Sequence, residues 1–217
     1  MIVAALYVER GGPYFSMPDV DPWDRERDAR LYGGPHPVRR AAPCGGAPAV
    51  RALVQACRIL RGARLRQARR RRWVLRGGDC SGETVGGVLE HPAVSSAWAA
   101  FGLRLPRRAG GWMRADDLGG WTCHVDQSHY GHLSIKQTWL YAHGVDLPWL
   151  TLGVAPNGRK LVSALPGDSE KRRRAIRTGQ LQRLSHMQRI ATPAPFRDLL
   201  LSMARTAIRP SLALEAG

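Results

Sequence analysis

Residues 119–141, GGWTCHVDQSHYGHLSIKQTWLY, decide how the rest of the chain is read. The stretch opens on Gly119 and Gly120, a turn signal, and continues into WTCHV (121–125), whose aromatic and β-branched residues predict a strand. A polar centre from Asp126 to His132 follows, and TWLY (138–141) predicts a second strand. Two short strands around a polar, basic centre are expected to present side chains at a sheet edge, since rigid scaffolds carry binding groups on their loops. An ordinary β–β connection with solvated histidines fits the same pattern, and the pattern alone leaves both readings open.

At 217 residues with 44% apolar content, the chain is expected to form one domain with a substantial core. The apolar start MIVAALYV (1–8) has no basic leader or small-residue cleavage site and reads as a buried strand. No apolar run approaches the ~18 residues of a membrane span, so no membrane association is expected. Four cysteines, Cys44, Cys57, Cys80 and Cys123, form no CxxC pair, which favours reduced thiols and a cytoplasmic location. His129 and His132 have a metal-like spacing across a glycine, but spaced pairs are lacking and no metal is expected. Glu170 starts a charged, solvated helix, and Leu199, Leu200, Met203 and Ile208 repeat at helical spacing near the end.

The net charge of +16 predicts attraction to polyanions, nucleic acid first. Twelve arginines lie between Arg39 and Arg76, with no Asp or Glu between Asp28 and Asp79. Val50, Leu53, Val54 and Ile59 predict a basic amphipathic helix over 49–60. Arg69, Arg70, Arg71 and Arg72, with Trp73 beside them, are candidate phosphate contacts, and His132 joins them as a candidate nucleic-acid contact. Burying unpaired charges costs several kcal/mol each, so this segment is expected to be a solvent-facing helix or poorly ordered. A second explanation is translation out of frame over part of residues 45–82: suitable arginine codons read one base later encode Asp-Asp-Gly.

Three segments in a fixed order carry a family resemblance: Pro43-Cys44, then GVLEHP (87–92), then Tyr130-Gly131-His132 with Gln127 before it and Lys136 and TWL (138–140) after. The ordered set resembles the cytosine-C5 DNA methyltransferases, whose small phage and prophage members carry a Tyr-Gly-His…Arg-Lys-x-Thr version of the last segment. The resemblance implies an α/β fold, a reduced class I methyltransferase (Rossmann-like) sheet. It would form a single domain over 1–208, without a target-recognition domain, followed by a frayed tail at 209–217. It implies S-adenosylmethionine as cofactor, DNA as partner, and a monomer transferring a methyl group to cytosine.

Within that resemblance Cys44 would attack C6, because C5 becomes nucleophilic only after covalent addition. Glu90 would hold the base at N3 and its amino group, while Gln127 and Lys136 would orient the cysteine loop and the base. Gly11 and Gly12, after the first strand, would approach the cofactor, and Asp21 would bind its ribose. A C-terminal helix would return beside the first strand. The chain departs from the family in four places: it lacks a Phe-x-Gly-x-Gly turn, and His91 replaces an asparagine. Lys136 stands where arginine is common, and Arg39-Arg40 replaces an apolar strand before Cys44. Each site residue also has an ordinary reading: Cys44 as packing, Gly11 and Gly12 as a simple turn, and Glu90 as an acid beside Pro92 at a helix entry. Asp24 reads as the cap of a helix running to Leu31. A non-catalytic nucleic-acid-binding protein on the same scaffold, or a decayed prophage product, is the competing functional reading.

If the arginine segment binds duplex DNA, log affinity should fall steeply with log salt. Neutralising Arg69 to Arg72 should flatten the slope by about 0.9 for each phosphate no longer neutralised; an unchanged slope would place binding elsewhere.

Overall fold

The computed structural model describes residues 1–28, 31–32, 36–41, 65–67, 73–75, 86–152, 161–162, 170–178 and 182–207. Cys44, Arg69 to Arg72, the helix expected at 49–60, and the tail at 209–217 lie outside them. In chain order the strands are β1 (Val3–Leu6), β2 (Val20–Trp23), β3 (Val38–Ala41), β4 (Leu65–Gln67), β5 (Trp73–Leu75) and β6 (Gly87–Pro92). They continue with β7 (Met113–Arg114), β8 (Trp121–Asp126), β9 (Gln137–His143), β10 (Leu161–Val162) and β11 (Gln182–Arg183). The helices are α1 (Ser96–Ala100), α2 (Glu170–Arg177), α3 (His186–Ile190) and α4 (Ala194–Arg205), with a 3-10 turn at Gln127–Tyr130.

Seven strands form one mixed sheet in the order β2-β1-β3-β6-β9-β8-β7. The first four are parallel, β9 is antiparallel to both β6 and β8, and β7 closes the far edge antiparallel to β8. The fold is therefore mixed α/β, as expected. β4 and β5 pair antiparallel, and β10 and β11 pair parallel, as separate two-stranded ladders.

The apolar runs explain why this sheet is buried on both faces. Successive strand residues point to opposite sides, and all four residues of β1 are inaccessible to solvent. Ala4, Leu6, Leu89, Trp139 and Tyr141 meet Trp98, Phe101 and Tyr32 on one side. Val3, Ala5, Val88, Leu140 and Ala142 meet Phe196, Leu200, Leu201 and Met203 on the other. Burying each such side chain contributes roughly 1.5–3 kcal/mol. On the first face Trp98 stacks edge-on with Trp139 at 5.4 Å, and its indole N–H donates to Thr122 Oγ1 at 3.2 Å. Ser95 caps α1 by accepting from the Ala97 amide, which fixes where Trp98 enters.

On the second face α4 packs against β1, β3 and β6, in keeping with the C-terminal helix expected beside the first strand. Prolines 193 and 195 suit its start, where amides have no intrahelical partner. Arg205 in its last turn pairs with Asp19 at 2.5 Å, anchoring the helix end to the turn before β2. Gly86 lets the entry to β6 pass the exit of β9: a Cβ there would lie 2.5 Å from the Gly144 carbonyl oxygen.

Three expectations are corrected. The segment from Arg39 to Arg76 was expected to be a solvent-facing helix or poorly ordered, yet Val38–Ala41 form β3 between β1 and β6, with Arg39 in register with Ala5 and Val88. Leu65–Gln67 and Trp73–Leu75 are also strands. Backbone pairing on both sides, anchored by the fully buried Val38, holds β3 despite its composition. The 119–141 hairpin does not lie at a sheet edge: β9 is enclosed by β6 and β8, and β7 covers β8. Asp24 does cap, accepting from the amides of Glu26 and Arg27 at 2.9 and 3.1 Å, but residues 25–28 are turns rather than a helix.

Leu200 is fully buried between α4 and the sheet. Leu200→Ala should cost about 2–5 kcal/mol, measured by denaturant unfolding; a loss below about 1 kcal/mol would mean that α4 is not packed there.

Candidate functional site

Because β1, β2, β3 and β6 run parallel, their carboxyl ends share one edge of the sheet. β8 runs the same way as β6, since both are antiparallel to β9, so its carboxyl end joins that edge. The chain moves outward from β1 to β2 and then returns to the other side of β1 for β3. In open α/β sheets the carboxyl ends on either side of such a reversal are the usual ligand position.

Glu90 lies near the carboxyl end of β6, directly opposite Ala41 on β3 and Leu140 on β9. Ala41 is three residues before Cys44 in the sequence, although Cys44 itself is outside the described residues. Gln127 begins the 3-10 turn after β8 and is completely buried. Its amide nitrogen donates to Glu90 Oε1 at 2.7 Å and to Thr138 Oγ1 at 2.9 Å. Two residues 37 positions apart are thus joined by a buried hydrogen bond. Gln127 Oε1 is buried with no partner among the described residues, leaving an acceptor beside the carboxylate.

Asp126 builds the turn that delivers Gln127. Its Oδ1 accepts from the Ser128 amide at 2.9 Å and the Lys136 amide at 3.0 Å, closing both ends of the loop. Gly131 ends the turn in a left-handed conformation (φ 96°), which a Cβ would disfavour. Thr138 and Asp126 were not singled out from sequence; an aspartate at the exit of a predicted strand was the available signal for the second.

The remaining candidates are placed as follows. Lys136 Nζ donates to the carbonyls of Ile190 and Ala191 at 3.1 and 2.7 Å, fastening the hairpin to the end of α3, where a cation is favoured. His132 is buried, not solvated; its Nδ1 lies 2.8 Å from the Ser134 carbonyl oxygen, and its Nε2 has no partner among the described residues. Gly11 is left-handed (φ 65°), with no atom within 4 Å of where a Cβ would sit, so one side of this turn is open. The Gly12 amide closes the turn by donating to the Glu9 carbonyl at 3.0 Å. Asp21 lies within β2, and its carboxylate accepts from the Trp23 indole at 2.7 Å and from Arg27 at 2.5 Å. Arg27 also lies over the Trp23 ring, 4.3 Å from its centroid.

Cys123 is fully buried on β8, and burial pushes its thiol up to about 11 against a lowering hydrogen bond from the Gly111 backbone. It is therefore a packing residue and a poor nucleophile at neutral pH. The neighbouring His124 has its pKa lowered by burial and by Arg108, with Asp126 opposing. Among the described residues no group of three or more His, Cys, Asp or Glu could hold a metal ion, and no helix is long and apolar enough to cross a membrane. No family model, curated protein or solved structure matches the chain.

The raised Cys123 pKa carries a sign. The folded state favours the thiol, so its contribution is complete below the unfolded value of about 9 and is lost as pH rises towards about 11. Tm should fall across that window, and less steeply in Cys123→Ala; parallel profiles would remove Cys123 as a cause.

Proposed function

We propose that this chain is a DNA cytosine-C5 methyltransferase-like protein using S-adenosylmethionine, built on a reduced class I methyltransferase sheet. One observation carries the reading: the 2.7 Å bond from Gln127 to Glu90, on the carboxyl edge beside the strand that leads to Pro43-Cys44. The resemblance assigned Glu90 and Gln127 to one reaction from separate segments, and the fold brings their side chains together. The parallel strands reversing at β1 and the helix α4 returning beside β1 agree with the same sheet type.

In this reading the Cys44 thiolate adds to C6 of an extruded cytosine, and the ring electrons that this releases make C5 nucleophilic. Glu90 holds N3 and the amino group, and Gln127 fixes the carboxylate so that it faces the base. Lys136 acts at a distance by holding the hairpin on α3. The open, left-handed turn at Gly11 fits close approach by a cofactor, and Asp21 places a carboxylate on β2. When bound, S-adenosylmethionine supplies the methyl group. Loss of the C5 proton to water re-forms the C5–C6 double bond and expels the Cys44 thiolate, completing the transfer.

The net charge of +16 favours a second reading, a nucleic-acid-binding protein without catalysis on the same scaffold, with a decayed prophage product as its limiting case. Titration calorimetry separates them: the enzyme should release or absorb heat with S-adenosylmethionine, and a silent titration would sink it. An active enzyme should also be trapped on DNA containing 5-fluorocytosine, and Cys44→Ser should abolish the trapped species. Equal trapping by the variant would remove Cys44 from the mechanism.

A further inference from the structure

Four residues beyond Glu90, in the loop between β6 and α1, Val94 adopts φ 63° with 83% of its surface exposed. A β-branched residue in the left-handed region is strained, and an apolar side chain gains nothing from water, so local stability does not account for valine here. Its neighbours fix where it stands. The Ala93 amide donates to the Gln137 carbonyl at 3.0 Å, and Pro92 lies opposite Thr138, the residue that shares the Gln127 amide with Glu90. Two and four residues before Gln137, Ile135 and Leu133 are also exposed, alternating with the buried His132 and Ser134. Two loops flanking Glu90 thus present three apolar side chains at the carboxyl edge. Ala41, in register with Glu90, is followed in the sequence by ten arginines up to Arg76. Exposed apolar tips on a chain of net charge +16 match a polyanion with apolar faces, which is a description of nucleic acid with unstacked bases.

We propose that Val94, supported by Leu133 and Ile135, contacts nucleobases next to the one held at Glu90. The inference rests on the proposed DNA-binding function and assigns its base contact. Val94 fills space against a base face, and the backbone strain holds the side chain outward. Phosphate contacts then supply affinity, while this apolar rim supplies the part that depends on bases being present.

The test compares full-length protein binding to an oligothymidine and to an abasic strand of equal length and charge, by fluorescence anisotropy over a range of salt. Wild type should prefer the base-bearing strand. Val94→Gly should reduce that preference about 5- to 10-fold, with abasic binding and salt slope unchanged, and Leu133→Ser should reduce it in the same direction. Val94→Gly relieves the left-handed strain, so its Tm should equal or exceed that of wild type. An unchanged preference in Val94→Gly, or equal weakening on both strands, overturns the base contact while leaving DNA binding intact. Failure of the wild-type protein to bind either strand overturns the DNA reading itself, and the base contact with it.

Discussion

The double pairing of β6 is the constraint on which the molecule depends. Four of its six residues form a parallel ladder with β3 on one side, and all six form an antiparallel ladder with β9 on the other. The first ladder joins the site to the amino-terminal half of the chain, and the second imports the 119–141 hairpin. Since β8 then runs the same way as β6, the ends of both strands open onto one edge. Val88 and Leu89 point to opposite faces and are both fully buried, so a register slip of one residue would exchange their surroundings.

A polar cluster within this apolar frame makes the edge more than a seam. Glu90, Gln127 and Thr138 come from three different elements, all at most 7% exposed, and are linked through one amide nitrogen. A buried carboxyl group without donors would be costly, and the Gln127 bond supplies one of them to Glu90. Asp126 in turn sets Gln127 by gathering the amides of Ser128 and Lys136. Positioning is therefore hierarchical: strand register places the loop, the aspartate shapes it, and the glutamine orients the acid.

The arginine-bearing β3 shows how far backbone pairing can override side-chain composition. Residues 38–41 read VRRA, an unusual string for an interior parallel strand, because such strands are normally continuous apolar runs. Flanking ladders of four and three paired positions satisfy its backbone, and the buried Val38 anchors it. Charge in the sequence predicted a solvent-facing helix or poor order; the neighbouring strands imposed sheet.

The sequence by itself determined the elements with strong local patterns. Both strands of the hairpin, the buried first strand and the terminal helix with Leu200 and Met203 follow from local composition and periodicity, which act over a few residues. It also marked Glu90 and Gln127 as candidates, through a resemblance rather than through any pattern that joins them. Only the tertiary structure decided that these two residues touch, that the hairpin lies inside the sheet, that His132 is buried, and that Lys136 is fastened to α3. Each of these depends on strand order and register, which are fixed by burial on two faces at once. A bond between residues 37 positions apart, such as Gln127 and Glu90, leaves no trace in local spacing, because nothing in the chain between them specifies where the strands will align.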